Sequence, residues 1–208
     1  MSTSLKSRKS RIVISAKSME EARKNKADVV EFRFDLFSSL PPVDEVKSIH
    51  KQKIITVRRV EDGGKFEGDE IERLSIFKKY SYLFDYADIE VYAGEEFFDL
   101  PCKIIESYHN FSKTPDFREL KDMIEGKRGD LFKIAVMGRD KKDVLTITKI
   151  LCEYDGVIAF LMGEIFSFTR VLAVALGSPF IYCSASRAVA PGQLSVEEAK
   201  KVIEILGL

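Results

Sequence analysis

The chain has 208 residues, with 33 Lys and Arg against 33 Asp and Glu, so its formal net charge is zero. A protein that holds nucleic acid carries a basic surplus, and this balance argues against that class. Hydrophobic residues make up 45% and charged residues 32%, a composition that argues against disorder and is ample for a core.

The first residues, MSTSLKSRKSR, are basic and polar, and no long apolar stretch follows them. Residues 1–10 therefore read as a frayed extension rather than a secretory signal. Nowhere does the chain hold the roughly 18 consecutive apolar residues that a membrane-spanning helix needs. Cys102, Cys152 and Cys183 lie far apart and form no C-x-x-C pair. That argues against a disulfide framework or zinc site and fits a reducing cytoplasm.

In chain order, β-rich apolar runs alternate with amphipathic ones. A strand over Arg11–Ala16 is followed by a helix over Ser18–Asn25, which opens with a Ser cap and Glu21 at capping-box spacing. Asp28–Asp35, Lys53–Arg59 and Asp85–Tyr92 are the next strands, with helices over residues 43–51 and 69–83 between them. After Tyr92 comes only a weak, short helical stretch near Glu95–Leu100. Cys102–Asn110, Leu131–Gly138, Asp155–Gly163 and Pro179–Ser186 complete eight strands, and helices are expected over 114–127, 140–154, 164–177 and 195–207. Strict alternation implies parallel strands with helical crossovers. Eight such units predict an α/β fold, a compact closed (β/α)8 TIM barrel. With no linker or composition shift, residues 1–208 read as one domain. A doubly wound open sheet is the alternative, weakened because no G-x-G-x-x-G follows the first strand.

Barrel chemistry sits at the C-terminal strand ends, so polar residues there carry the information. Glu31, Arg33 and Asp35 share one face of the second strand, and Phe32 and Phe34 take the other. Charges inside a barrel must be paired or bound to ligand, so a Glu31–Arg33 ion pair is the structural alternative to a binding role. Arg58 shares the parity of Thr56 and should point inward, where its fork of donors suits a carboxylate or hydroxyl-rich ligand. Asp88 and Glu90 read as structural ion-pair partners, because no His accompanies them for a metal. His109 ends the fifth strand, where an imidazole can move a proton at neutral pH. Lys133 lies among apolar residues in the sixth strand, and burial there should free its amine as a nucleophile toward carbonyls. Arg170 follows Met162-Gly163, and Ala190-Pro191-Gly192-Gln193 forms a turn-rich candidate lid before the last helix.

Together these residues resemble type I 3-dehydroquinate dehydratase. The resemblance rests on Glu31-x-Arg33, Arg58, Ser107-Tyr108-His109-Asn110-Phe111 with Thr114-Pro115, Lys133, Met162-Gly163 through Thr169-Arg170, and the Ala190–Gln193 loop. It implies a (β/α)8 barrel without metal or organic cofactor, a cytoplasmic homodimer of the shikimate pathway to aromatic amino acids. Its partner would be the small molecule 3-dehydroquinate, with no nucleic acid and no membrane. In that reading Lys133 forms a Schiff base with the C3 ketone, and His109 removes the C2 proton and returns it to the leaving C1 hydroxyl. Arg170 pairs with the substrate carboxylate, Glu31, Arg33 and Arg58 hold the ring hydroxyls and imine end, and Gln193 closes over the ligand. Two departures stand out. Asp62, with Glu61 beside it, occupies the place of the family's His-orienting Glu. Val189 replaces a loop serine, for which Ser184 or Ser186 would substitute. The five groups Glu31, Arg33, Arg58, Lys133 and Arg170 predict a locally cationic mouth in a neutral protein. A class I aldolase or transaldolase sharing Lys133, or a non-catalytic ligand-binding barrel, are the rival readings.

Overall fold

The computed structural model describes residues 10–184 and 193–208. The basic N-terminal residues 1–9, Ser186, Val189 and the Ala190–Gly192 part of the expected lid lie outside the described residues.

Eight parallel strands form one curved sheet: β1 (Arg11–Ala16), β2 (Val29–Arg33), β3 (Gln52–Thr56), β4 (Tyr86–Glu90), β5 (Lys103–Asn110), β6 (Leu131–Met137), β7 (Val157–Met162) and β8 (Phe180–Cys183). Among the described residues seven α-helices accompany them: α1 (Met19–Arg23), α2 (Val43–Lys47), α3 (Glu70–Tyr80), α4 (Phe117–Glu125), α5 (Lys141–Glu153), α6 (Phe168–Ala175) and α7 (Val196–Leu206). The hydrogen-bonded order runs β7-β6-β5-β4-β3-β2-β1-β8, which bends the sheet into the (β/α)8 barrel that the alternation predicts. Closure differs in one detail. Among the described residues β7 and β8 share no ladder, and α6 spans that seam by packing against both strands.

Several elements are shorter than their sequence patterns. β3 stops at Thr56 because the chain turns back on itself: Phe66 N–H donates to Arg58 O at 3.0 Å. α2 ends at Lys47 rather than running to residue 51, as Ser48 turns its hydroxyl onto Glu45 O. Pro115 holds the start of α4 back to Phe117, where the Asp116 side chain accepts from the N–H groups of Arg118 and Glu119. The stretch near Glu95 makes only a 3-10 turn over Glu95–Phe97, so the β4–β5 crossover carries no α-helix. Capping boxes do form at Asp140–Asp143 and Ser195–Glu198.

Strand parity divides the core into three shells. Outward residues such as Ile14, Val30, Phe32, Ile55 and Ile89 pack under the helices on one side. Ile134, Val136, Ala159 and Leu161 do the same under α4–α6. Inward residues Val13, Val29, Ile54, Tyr86, Ile105, Ile158 and Phe180 fill the lower barrel. Arg11 closes the bottom, its guanidinium 4.5 Å above the Phe180 ring and bonded to Gln52 and to the Tyr86 hydroxyl. Above that apolar layer the inward positions turn polar: register pairs Ser15 with Glu31, Thr56 with Asp88, and Ser107 with Lys133.

Candidate active site

A cavity of about 350 Å³ opens at the C-terminal strand ends, lined by residues that include Glu31, Arg33, Arg58, His109, Lys133, Arg170 and Gln193. All seven were expected from sequence as catalytic or binding residues, and the fold brings them to one site. Gly63, Phe111, Met137, Phe160, Met162 and Tyr182 add its apolar walls. Among the described residues no cluster of His, Cys, Asp and Glu is arranged to hold a metal ion, and no helix is long and apolar enough to cross a membrane.

Lys133 is inward on β6 and only 5% exposed. Its Nζ lies 2.9 Å from Asp88 Oδ2 and 3.9 Å from Glu31 Oε1, and 4.1 Å from the centre of the Tyr182 ring. The expectation of an amine set among apolar neighbours is therefore corrected. The flanking residues Phe132 and Ile134 face outward, and what the side chain itself meets is two carboxylates and an aromatic face. Glu31 is fixed by the hydroxyls of Ser15 and Thr56, the latter at 2.9 Å.

Arg33 does not pair with Glu31. It donates two bonds to Asp35, at 2.9 and 2.8 Å, because β2 ends at Arg33 and Asp35 swings round in the 3-10 turn Phe34–Leu36. Arg58 points inward as its parity indicated, but its donors are engaged: Asp88 at 2.7 Å, Glu90 at 2.9 Å and Ser107 Oγ at 2.9 Å. Glu90 also pairs with Arg73, a fully buried residue of α3 that bonds Glu70 as well. Asp88 and Glu90 are thus ion-pair partners, as expected, and Asp88 additionally contacts Lys133. Burial alone would raise the Asp88 pKa, but the charges of Arg58 and Lys133 outweigh it and hold the carboxyl well below the usual range.

His109 is inward near the end of β5, its ring stacked on Phe111 at 6.4 Å between centroids. Burial, followed by the charges of Arg58 and Lys133, pushes its pKa well below 6.5, so the imidazole is neutral at neutral pH. Nδ1 is buried and, among the described residues, has no hydrogen-bond partner. Neither acidic residue considered for orienting it does so here: Asp62 lines the cavity but accepts from Arg59 at 2.8 Å, and Glu61 is exposed. Gly63, at φ +79°, makes the turn that carries Asp62 to the rim; a Cβ there would sit 2.4 Å from Phe111 Cζ.

Arg170 projects from α6, 4.4 Å over the Phe160 ring, and burial lowers its pKa to about 10. Its neighbour Thr169 anchors this first turn, its Oγ accepting from Leu161 N–H at 3.1 Å. Thr114 ties the β5–α4 loop to the end of β6 through a 2.9 Å bond to Met137 O. Gln193 is half-buried at the cavity edge, and Ser184 is buried with its hydroxyl on Leu194 O.

The cationic mouth needs correction. Arg33, Arg58, Lys133 and Arg170 line the cavity, but so do Glu31 and Asp62, and Asp35, Asp88 and Glu90 stand directly behind three of those cations. The site is a compensated lattice of charge. Ser15 and Tyr182, which sequence reasoning passed over, matter most to Glu31 and Lys133, and Asp88, read there as an ion-pair residue, meets Lys133 as well. Their inward parity was the available signal.

A chemistry follows from this arrangement. A buried amine, a neutral imidazole and several fixed cations surround a space of small-molecule size. Comparison with known proteins points the same way. The family described as Type I 3-dehydroquinase matches residues 10–208. A 3-dehydroquinate dehydratase of Archaeoglobus fulgidus is 56% identical over 184 residues, covering 88% of this chain and 91% of the relative. A crystal structure of 3-dehydroquinate dehydratase from Aquifex aeolicus has TM-score 0.77 at 30% identity, covering 93% of this chain and 97% of that one. A type I enzyme from Clostridium difficile with covalently modified comenic acid has TM-score 0.81 at 28% identity, covering 95% and 92%.

Proposed function

The chain belongs to the type I 3-dehydroquinase family and is a hydro-lyase, and from that premise we propose that it dehydrates 3-dehydroquinate to 3-dehydroshikimate through a Lys133 Schiff base. The observation that carries the reading is the buried Lys133 amine facing the same cavity as the neutral imidazole of His109.

In this mechanism Lys133 Nζ loses a proton and attacks the C3 ketone. The carbinolamine then expels water to give a protonated imine. An iminium is a far better electron sink than a ketone, so it acidifies the C2–H. His109, held neutral by burial, takes that proton and passes it to the departing C1 hydroxyl, and water leaves in a syn sense. Hydrolysis of the conjugated imine releases the product and restores the amine. Arg170 pairs with the substrate carboxylate, while Glu31, Arg33 and Arg58 shape the ring and imine end, and Gln193 covers the ligand. The Clostridium difficile relative, described with covalently modified comenic acid, supports covalent chemistry in the family. Family membership removes the aldolase and non-catalytic readings. On the family resemblance alone, the same proposal extends to a single-domain homodimer acting in the cytoplasm on the shikimate pathway.

The test is direct. Purified protein supplied with 3-dehydroquinate should generate the ultraviolet absorbance of a conjugated enone, and Lys133→Ala should not. An unaltered rate in Lys133→Ala, with the fold intact, would overturn the covalent mechanism.

A further inference from the structure

Asp88 is the nearest polar partner of Lys133, yet it takes no part in the chemistry just described. Its two oxygens are divided: Oδ1 accepts from Arg58 at 2.7 Å and Oδ2 from Lys133 at 2.9 Å. Arg58 is immobilised in turn by Glu90 and Ser107, and Glu90 by Arg73 reaching in from α3. The result is a buried alternating row, Lys133–Asp88–Arg58–Glu90–Arg73, that spans the barrel wall. Every member is at most 5% exposed. A carboxylate held this way cannot rotate toward or away from the amine without breaking the row.

We propose that Asp88 is the positioning residue for Lys133: it aims Nζ at the substrate ketone and sets the pH range over which the imine forms. The inference rests on the Schiff-base reading above. Asp88 accepts hydrogen bonds throughout and exchanges no proton, since Arg58 and Lys133 stabilise its charged form. The proton that Lys133 sheds must therefore leave by another group. The other titratable and charged groups that line the cavity with the amine are Glu31 and Arg33 from β2, Arg58 and Asp62 beyond β3, the neutral imidazole of His109 from β5 and Arg170 from α6, with the Tyr182 ring from β8. Without Asp88, the ion-pair partner left to Lys133 among the described residues is Glu31 at 3.9 Å, and the ammonium form would lose its closest support.

The experiment is Asp88→Asn, with imine formation followed by cyanoborohydride capture of 3-dehydroquinate on the intact protein between about pH 5 and 9. Loss of the carboxylate should move the acid limb of the capture rate down by about one pH unit or more, the tenfold change expected of a close buried charge. A part that is only structural would lower the rate at every pH and leave the limb in place, and that result overturns the inference. Asp88→Glu covers the case in which the Asn variant does not fold. It keeps the charge but displaces it by a methylene, so the limb should stay while kcat falls about tenfold or more and KM changes little. Unchanged kcat in Asp88→Glu would overturn the aiming role. Capture by the unaltered protein together with an unmoved limb in Asp88→Asn would defeat this inference alone, whereas no capture by the unaltered protein would defeat the Schiff-base reading with it.

Discussion

Replacing Arg73 by Met tests whether the row behind Lys133 also holds the barrel together. Arg73 has no exposed surface, donates to Glu90, Glu70 and Val57 O, and lies 4.4 Å over the Phe97 ring. Met approximates its length and apolar packing, so the main loss is the partner of a buried carboxylate. Breaking a buried ion pair from one side costs about 3–5 kcal/mol. Glu90 keeps Arg58, which puts the expected loss near the lower bound, about 3 kcal/mol. For a chain of this size that is a fall in Tm of roughly 6–12 °C. Calorimetry on Arg73→Met should show it, and adding Glu90→Gln should recover about 1 kcal/mol or more by removing the stranded charge. A loss below about 1 kcal/mol, or no recovery in the double variant, would refute the view that charge compensation, rather than packing, makes Arg73 indispensable.

Three further outcomes follow from the same geometry. Because the folded-state pKa of His109 is depressed, the unfolded chain binds the extra proton first as pH falls below about 6.5, so this group's contribution to stability is present above that pH and lost below it. His109→Gln should flatten the acid side of a denaturation–pH curve, and an unchanged slope would contradict an imidazole held neutral in the fold. Arg170→Met should raise KM about tenfold or more through loss of a charge-assisted bond to the substrate carboxylate, with a smaller effect on kcat; steady-state kinetics decides. Gly63→Ala forces a side chain into φ +79° and against Phe111, so it should cost about 1–2 kcal/mol by chemical denaturation and slow turnover.

The barrel was legible because β-rich apolar runs and amphipathic helices alternate along most of the chain, and parity correctly turned Arg58 and Phe32 to opposite sides of the wall. What parity could not give is which inward charges meet. Arg33 chose Asp35 over Glu31 because β2 ends two residues before the expected strand does. Lys133 looked isolated because its sequence neighbours are apolar, although those neighbours point the other way. Asp88 and Arg73 are separated from Lys133 by 45 and 60 residues in sequence, and only closure of the sheet shows that they form one row. The expectation that Asp62 or Glu61 would orient His109 rested on the family resemblance, whereas Arg59, three residues earlier, takes the Asp62 carboxylate.

The central claim is that Lys133 bonds covalently to the substrate ketone. Intact protein incubated with 3-dehydroquinate and borohydride should gain the mass of one reduced adduct, and peptide mapping should place it on Lys133. A protein that dehydrates 3-dehydroquinate yet shows no added mass, or carries it on another lysine, would contradict the account.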